Sequence, residues 1–192
     1  MQDKTEIEIF YPTSQTAWRT WLIENHESKQ AVWLVFYNKS SDKLTISWSD
    51  AVDEALCFGW IDSKRIAIDT EKSHQFFSKR KPKSTWSRVN KVKIEQLTAN
   101  GLIMKAGLDC VEIAKLNGSW SILDDVEALI IPEDFEIALR NKSEALDFFL
   151  SLSKSVRKVM LHWLVLAKRP ETRQKRIDEL VELAEKKQKK VW

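Results

Sequence analysis

The sequence predicts an α+β fold, with a small antiparallel sheet and packed helices in the N-terminal half and an all-helical C-terminal half. Three observations carry that expectation. The segments with strand-like patterning all lie before Arg80. From Ser84 onward, apolar residues recur at helical spacing between capping residues. With only four Gly and four Pro among 192 residues, little chain is left for flexible linkers.

Glu6 to Tyr11 alternates polar and apolar residues and reads as a short strand closed by Pro12. Thr13 or Ser14 then supplies an N-cap for a helix ending near His26, whose Trp18 and Trp21 pack on two adjoining surfaces. Ala31 to Tyr37 is apolar throughout, β-branched and aromatic, the pattern of a central strand covered on both faces. After a solvent turn at 38–43, Leu44-Thr45-Ile46 reads as a short returning strand. Ser47 and Asp50 form a capping box for a helix with Trp48, Ala51, Val52, Ala55 and Leu56 on one face, and Gly59 stops it. Trp60–Ile68 and His74–Lys79 pair as a hairpin across Asp69–Ser73.

Beyond that point only helices are predicted. Ser84 or Ser87 caps one that runs through Leu97 to Asn100-Gly101, and Ala106–Leu116 is another, ended by Asn117-Gly118. Ser121–Leu129 is a short acidic helical piece, and Pro132-Glu133-Asp134 opens a helix with carboxylates at the positive end of its dipole. Ser143 and Ser153 cap two more, the second with Val156, Val159, Met160, Trp163, Leu164 and Ala167 along one side. Pro170 begins a last amphipathic helix through Ile177, Leu180, Val181 and Ala184, whose tail at 186–190 frays. The expected domain division separates an α+β core at residues 1–124 from a helical region at 125–192 packed on it. No internal repeat of fixed period is present.

Composition narrows the function classes. At 43% hydrophobic and 31% charged, the chain has the makeup of a soluble globular protein. Thirty-one basic against 28 acidic residues give a net charge of +3, far short of a dedicated nucleic-acid binder. Nucleic acid is therefore a disfavoured partner. Cys57 and Cys110 form no metal or redox cluster and read as reduced thiols acting as small hydrophobes. Met1 to Glu6 has no apolar run behind it, and no long apolar segment occurs, so the expectation is a cytoplasmic protein without membrane insertion. Neither a cofactor nor a metal is expected, because His26, His74 and His162 are scattered.

One stretch, Ala55 to Arg88, organises the functional reading. An apolar turn ending at Trp60-Ile61-Asp62 is followed by the basic run Lys79, Arg80, Lys81 and Lys83, which leads into Ser84, Trp86, Ser87 and Arg88. Free N–H groups at a helix start, hydroxyls and guanidinium forks make an anion site for phosphate, sulfate or carboxylate. The predicted ligand-binding set is therefore Trp60, Asp62, Arg80, Lys83, Ser84, Trp86, Ser87 and Arg88. The bland alternatives are a solvated charge run and an Asp62 engaged in an internal pair. Asp62 and His74 are the candidates for a general base should the site be catalytic. A second basic cluster, Lys168, Arg169, Arg173, Lys175 and Arg176, either extends an anion surface, grips the acidic stretch 124–127, or pairs internally.

Four ordered motifs carry a resemblance: Ala51 to Asp62, Lys83 to Asn90, Gly101 to Gly107, and Ala167 to Arg173. Together they resemble the bacterial YdeI/OmpD-associated family, also labelled bacteriocin-protection proteins, from about Trp18 to Glu185. The resemblance implies a link to antimicrobial-peptide resistance or to an outer-membrane porin, and it brings no established reaction or cofactor. Lys79 departs from the Pro found before the Arg in many relatives, which leaves that turn less rigid and more basic. Three functions follow as alternatives: a stress-protection protein binding a small anionic ligand, an enzyme acting on such an anion, or a module for nucleic acid or a protein partner.

Overall fold

The computed structural model describes residues 7–188. The described chain divides at Trp120/Ser121 into two compact units. The first holds a four-stranded sheet with helices and the second holds helices alone, so the architecture is α+β as predicted.

In the N-terminal unit, strand β1 (Ile9–Phe10) precedes helix α1 (Gln15–Asn25), strand β2 (Ala31–Tyr37), helix α2 (Trp48–Cys57), and the hairpin of β3 (Trp60–Ala67) and β4 (Lys72–Lys79). Helices α3 (Arg88–Ala99) and α4 (Lys105–Leu116) complete it. The strand order is β1-β2-β4-β3, which puts β2 and β4 in the interior. The pairings of β2 with β4 and β4 with β3 are antiparallel, but β1 runs parallel to β2. That departs from the all-antiparallel expectation, because α1 crosses over and returns the chain in the same direction. The alternation at Glu6 lies outside the described residues.

Alternation along the strands decides which side is buried. Val32, Leu34, Phe36 and Phe77 face the helices and are buried, while Trp33, Phe76 and His74 stand on the other face. β2 is therefore not covered on both sides as its apolar run suggested. Its outer face is half-buried, shielded by the edge-on Trp33–Phe76 pair at 4.8 Å with the Lys64 ammonium over Trp33 at 5.2 Å. Leu44-Thr45-Ile46 forms no strand. The Tyr37 amide donates instead to Thr45 Oγ1 at 3.3 Å, and Ile46 is drawn into the core.

The core centres on aromatics. Trp18 and Trp21 stack on one another at 5.1 Å rather than facing separate surfaces, Trp18 meets Phe77 edge-on, and Trp21 meets Trp60 edge-on. Such pairs contribute about 0.5–1.5 kcal/mol each beyond their buried area. Buried Glu54 accepts from Gln15 Nε2 and Arg19 Nη1, both at 2.7 Å, and Arg19 reaches on to the Leu102 carbonyl at 2.9 Å. This pair therefore ties α1, α2 and the 100–104 turn together.

Two glycines set how closely α4 approaches α2. A Cβ on Gly107 would lie 2.5 Å from the Cys57 carbonyl oxygen and 2.8 Å from that of Leu56. Gly59 has φ +71, and a Cβ there would lie 2.9 Å from the Ala106 carbonyl oxygen. The Met104 amide donates to the Cys57 carbonyl at 3.0 Å, which pins the start of α4 to the end of α2.

The C-terminal unit comprises α5 (Asp124–Glu127), α6 (Glu133–Arg140), α7 (Ala145–Ser151), α8 (Lys154–Val165) and α9 (Pro170–Glu185) among the described residues. Its core gathers Phe135, Leu139, Phe149, Met160, Leu164, Ile177 and Leu180, with Phe135 and Phe149 edge-on at 5.3 Å. Ser153 caps α8 as read, but the residue at the N-cap of α7 is Glu144, in the left-handed conformation (φ 60), so Ser143 is not its cap. Val159 is exposed rather than on the buried side. At the tail, Lys186 pairs with Glu182 and Lys187 with Glu144, while residues 189 and 190 of the fraying call lie outside the described residues. No described helix is long and apolar enough to cross a membrane.

Two outcomes follow. Gly107→Ala forces a methyl into backbone carbonyls, and overpacking of this kind costs about 1–3 kcal/mol. It is expected as a lower urea midpoint for the N-terminal unit, and wild-type stability in that variant would refute the close approach. In the C-terminal unit, Arg173 donates to Asp134 through Nε at 2.6 Å and Nη2 at 2.7 Å, holding that carboxyl below its usual 3.8. A depressed folded pKa means stability present above the unfolded value and lost as pH falls through the folded one. Both side chains are partly exposed, so the effect is about 1 kcal/mol or less. Urea curves from pH 6 downward should show this acid-sensitive part missing in Asp134→Asn.

Candidate functional site

The basic segment after β4 is held rigidly. The Arg80 amide donates to the Gly59 carbonyl at 2.9 Å, continuing the β3–β4 ladder past its last pair. Asn117 Nδ2 and Ser119 Oγ both donate to the Pro82 carbonyl, at 2.8 and 3.2 Å, and the Ser84 amide donates to that of Lys81 at 2.9 Å. The loop therefore presents Arg80 in one geometry.

Arg80 is only 8% exposed. Its guanidinium lies 3.7 Å over the Trp86 ring, and Trp86 in turn packs against Trp120 at 5.0 Å. Nη2 donates to the Thr85 carbonyl at 2.5 Å, whereas Nε and Nη1 are buried without a hydrogen-bond partner. Burial lowers its pKa to about 10, with Cys110 and Asp62 acting weakly in the opposite sense. The group is still protonated at neutral pH, so the N-terminal unit contains a buried, incompletely paired cation.

Arg80 lines a cleft of about 290 Å³. The walls come from the end of α1 (His26, Glu27), the α2–β3 turn (Phe58, Gly59), the end of β4 (Lys79) and α4 (Ala106, Asp109, Cys110, Ile113). Lys79 Nζ donates to the Glu27 carbonyl at 2.7 Å. Of the two acids in the wall, Asp109 is paired with Lys105 at 2.6 Å, and the largely exposed Glu27 carboxylate lies 3.9 Å from His26 Nε2. His26 Nδ1 lies 2.8 Å from the Leu22 carbonyl, an acceptor, so Nδ1 carries a proton and Nε2 is the nitrogen left for other contacts.

The residues named from sequence divide between this cleft and other places. Trp60 is fully buried in the aromatic core, because its position in β3 faces the helices, and it lines no cleft wall. Trp86 supports Arg80 from beneath. Ser87 Oγ caps α3 by accepting the Asn90 amide at 3.3 Å, so the free N–H groups expected at that terminus are partly occupied. Lys83 and Arg88 are exposed, and neither they nor Ser84 lines the cleft. Asp62 Oδ2 accepts from Trp48 Nε1 at 2.9 Å and Gln75 Nε2 at 3.1 Å on the helix-facing side of the sheet. His74 stands on the opposite face beside Trp33, where burial lowers its pKa, followed by the charge of Lys72. The two candidate bases therefore do not converge.

In the second basic cluster, in the C-terminal unit, Arg173 and Arg176 are spent on structure. Arg173 is bidentate to Asp134, and Arg176 Nη1 donates to the Trp163 carbonyl with its guanidinium 4.8 Å over that ring. Within the acidic stretch, Glu127 pairs with Lys158, which is outside this cluster, at 2.6 Å. Lys168 and Arg169 are exposed.

Sequence reasoning missed His26, Asp109 and Cys110 as cleft residues. The signal that pointed to them was the pair Gly59 and Gly107, which marks a close backbone approach and so brings α4 beside the basic segment. Neither cysteine is set up as a nucleophile. Burial pushes the Cys57 thiol to about 11 and raises that of Cys110, with Arg80 opposing. Among the described residues, no three His, Cys, Asp or Glu side chains gather to hold a metal ion.

Comparison with known proteins adds two matches. Residues 128–187 match the family described as Bacteriocin-protection, YdeI or OmpD-Associated, so the resemblance read from the motifs holds for that part of the chain. No curated protein and no solved structure matches the chain. The model of the family described as Domain of unknown function (DUF8412) matches residues 10–110, more than half of the 192, and the chain belongs to that family.

Proposed function

We propose that the N-terminal unit binds a small anion in the cleft with Arg80 as its anchor, and that the protein acts in the cytoplasm in protection against stress or antimicrobial peptides. One observation carries the reading: a guanidinium more than nine-tenths buried, with Nε and Nη1 unpaired, in the wall of a cleft. Removing an ion from water costs several kcal/mol unless a counter-charge returns it. A phosphate, sulfate or carboxylate beside Arg80 supplies that counter-charge, and Lys79 adds a second positive group. The volume, at the small end for ligand pockets, suits a compact metabolite rather than a chain. The protective role rests on the match of residues 128–187.

A catalytic use of the same cleft is the second reading, favoured by the His26 tautomer. Nε2 of a neutral imidazole in the cleft wall is suited to accept a proton from the bound anion. In that reading His26 takes the part first given to Asp62 or His74.

Thermal-shift titration with phosphate, sulfate, nucleotides, phosphosugars and acidic metabolites tests the binding. At a ligand concentration 100 times Kd the expected stabilisation is about 2.7 kcal/mol. It should vanish in Arg80→Gln and persist in Arg88→Ala, and stabilisation that survives Arg80→Gln removes the proposal. The unpaired charge also predicts a trade-off. Arg80→Met, which keeps the volume and discards the charge, should be at least as stable as wild type in urea at pH 7. A loss beyond about 2 kcal/mol would show that the guanidinium serves the fold instead.

A further inference from the structure

We propose that the N-terminal unit carries a second ligand site, at the other end of β4 from Arg80, which takes a small planar aromatic anion between Trp48 and Arg65. A cleft of about 420 Å³ opens there, lined by Tyr37, Lys39, Thr45, Ser47, Trp48 and Arg65 among others.

Trp48 is the first residue of α2 and is 50% exposed, although it was read as sharing one apolar face with Ala51, Val52, Ala55 and Leu56, which are buried. Half an indole left in water forfeits burial energy. The ring is nonetheless fixed, because Nε1 donates to Asp62 Oδ2 at 2.9 Å. Asp62 is fixed in turn by Gln75, whose Nε2 also reaches the Ser63 carbonyl at 3.2 Å. Gln75 is 4% exposed and occupies a helix-facing position of β4, two residues from fully buried Phe77.

The same face of β4 holds a second polar residue. Ser73, 6% exposed, accepts from Arg65 Nε at 2.8 Å. That bond engages Nε and leaves the forked terminal nitrogens for an oxyanion. Strand alternation assigns both positions to apolar side chains, and a buried polar group is costly unless bonded. Here each of the two is bonded into an arm that ends at the cleft wall, Gln75 through Asp62 to Trp48, and Ser73 to Arg65. The bulge between Asp62 and Arg65 re-aims β3 so that both arms reach the same cleft.

The chemistry of the walls selects the occupant. An indole face takes a flat ring by stacking, a guanidinium takes a carboxylate or phosphate in two bonds, and exposed Lys39 adds positive charge. Both donors to the Asp62 carboxylate meet Oδ2, and Asp62 is not among the residues that line the cleft. The shared feature of the ligand is one ring system bearing one acidic group, either phosphate or carboxylate.

The probes are adenosine 5′-monophosphate and 4-hydroxybenzoate, with adenosine and inorganic phosphate as controls, followed through the indole N–H signals of ¹⁵N-labelled protein. The signal absent in Trp48→Phe assigns Trp48, and the other indoles report that each variant is folded. One or both probes should shift the Trp48 signal, and which of them does so identifies the acidic group. Each control should bind at least about tenfold more weakly. Arg65→Gln should weaken binding about tenfold or more, the loss expected for a charge-assisted pair. Asp62→Ala should weaken it while leaving Arg65 in place, whereas Arg80→Gln should leave it unchanged, which separates this site from the first cleft. An unmoved Trp48 signal with both probes, undiminished affinity in Arg65→Gln, or loss of binding in Arg80→Gln would overturn the proposal.

Discussion

The close approach of α4 to the end of α2 is the constraint on which the N-terminal unit depends. Two glycines permit it: Gly107 lets one backbone touch the carbonyls of Leu56 and Cys57, and Gly59 turns with positive φ beneath Ala106. Any side chain at either place would push α4 outward. With α4 seated, Ala106, Asp109, Cys110 and Ile113 become a wall facing the end of β4, and Arg80 is enclosed rather than exposed. A run of basic residues that would otherwise be solvated thus contributes one buried cation, while Lys83 and Arg88 stay in water.

Buried polar groups mark where this unit departs from a simple apolar core. Glu54 is fully engaged by Gln15 and Arg19 and joins elements to one another. Gln75 and Ser73 are also engaged, but their bonds lead outward to Asp62 and Arg65. Arg80 differs from all three in having two donors without acceptors. The first pattern ties elements of the fold together, the second holds cleft side chains still, and the third leaves a buried charge incompletely compensated.

In the C-terminal unit, cations and carboxylates close on each other instead. Arg173 and Asp134 join α9 to the start of α6, Lys158 and Glu127 join α8 to α5, and Arg176 lies along Trp163. Arginines that share one helical face look like a binding surface when read along the chain. Side-chain reach and local partners made Arg173 and Arg176 cross-links between helices, while Arg169 stays exposed.

The sequence by itself determined the four strands that form, most helix starts and the change from a sheet-containing half to a helical half, because alternation, helical periodicity and Ser caps are local signals. Ser14, Ser47, Ser87 and Ser153 each accept an amide at their helix start. Local signals do not carry direction or facing. Only tertiary structure made β1 parallel, left Leu44–Ile46 unpaired, and put Asp62 and His74 on opposite faces of the sheet. Arg80 was legible from its neighbours in the chain as part of a basic segment, but its partners in the cleft were not. His26 and Cys110 lie far from it in sequence, and what brings them together is the absence of two Cβ atoms where helices touch.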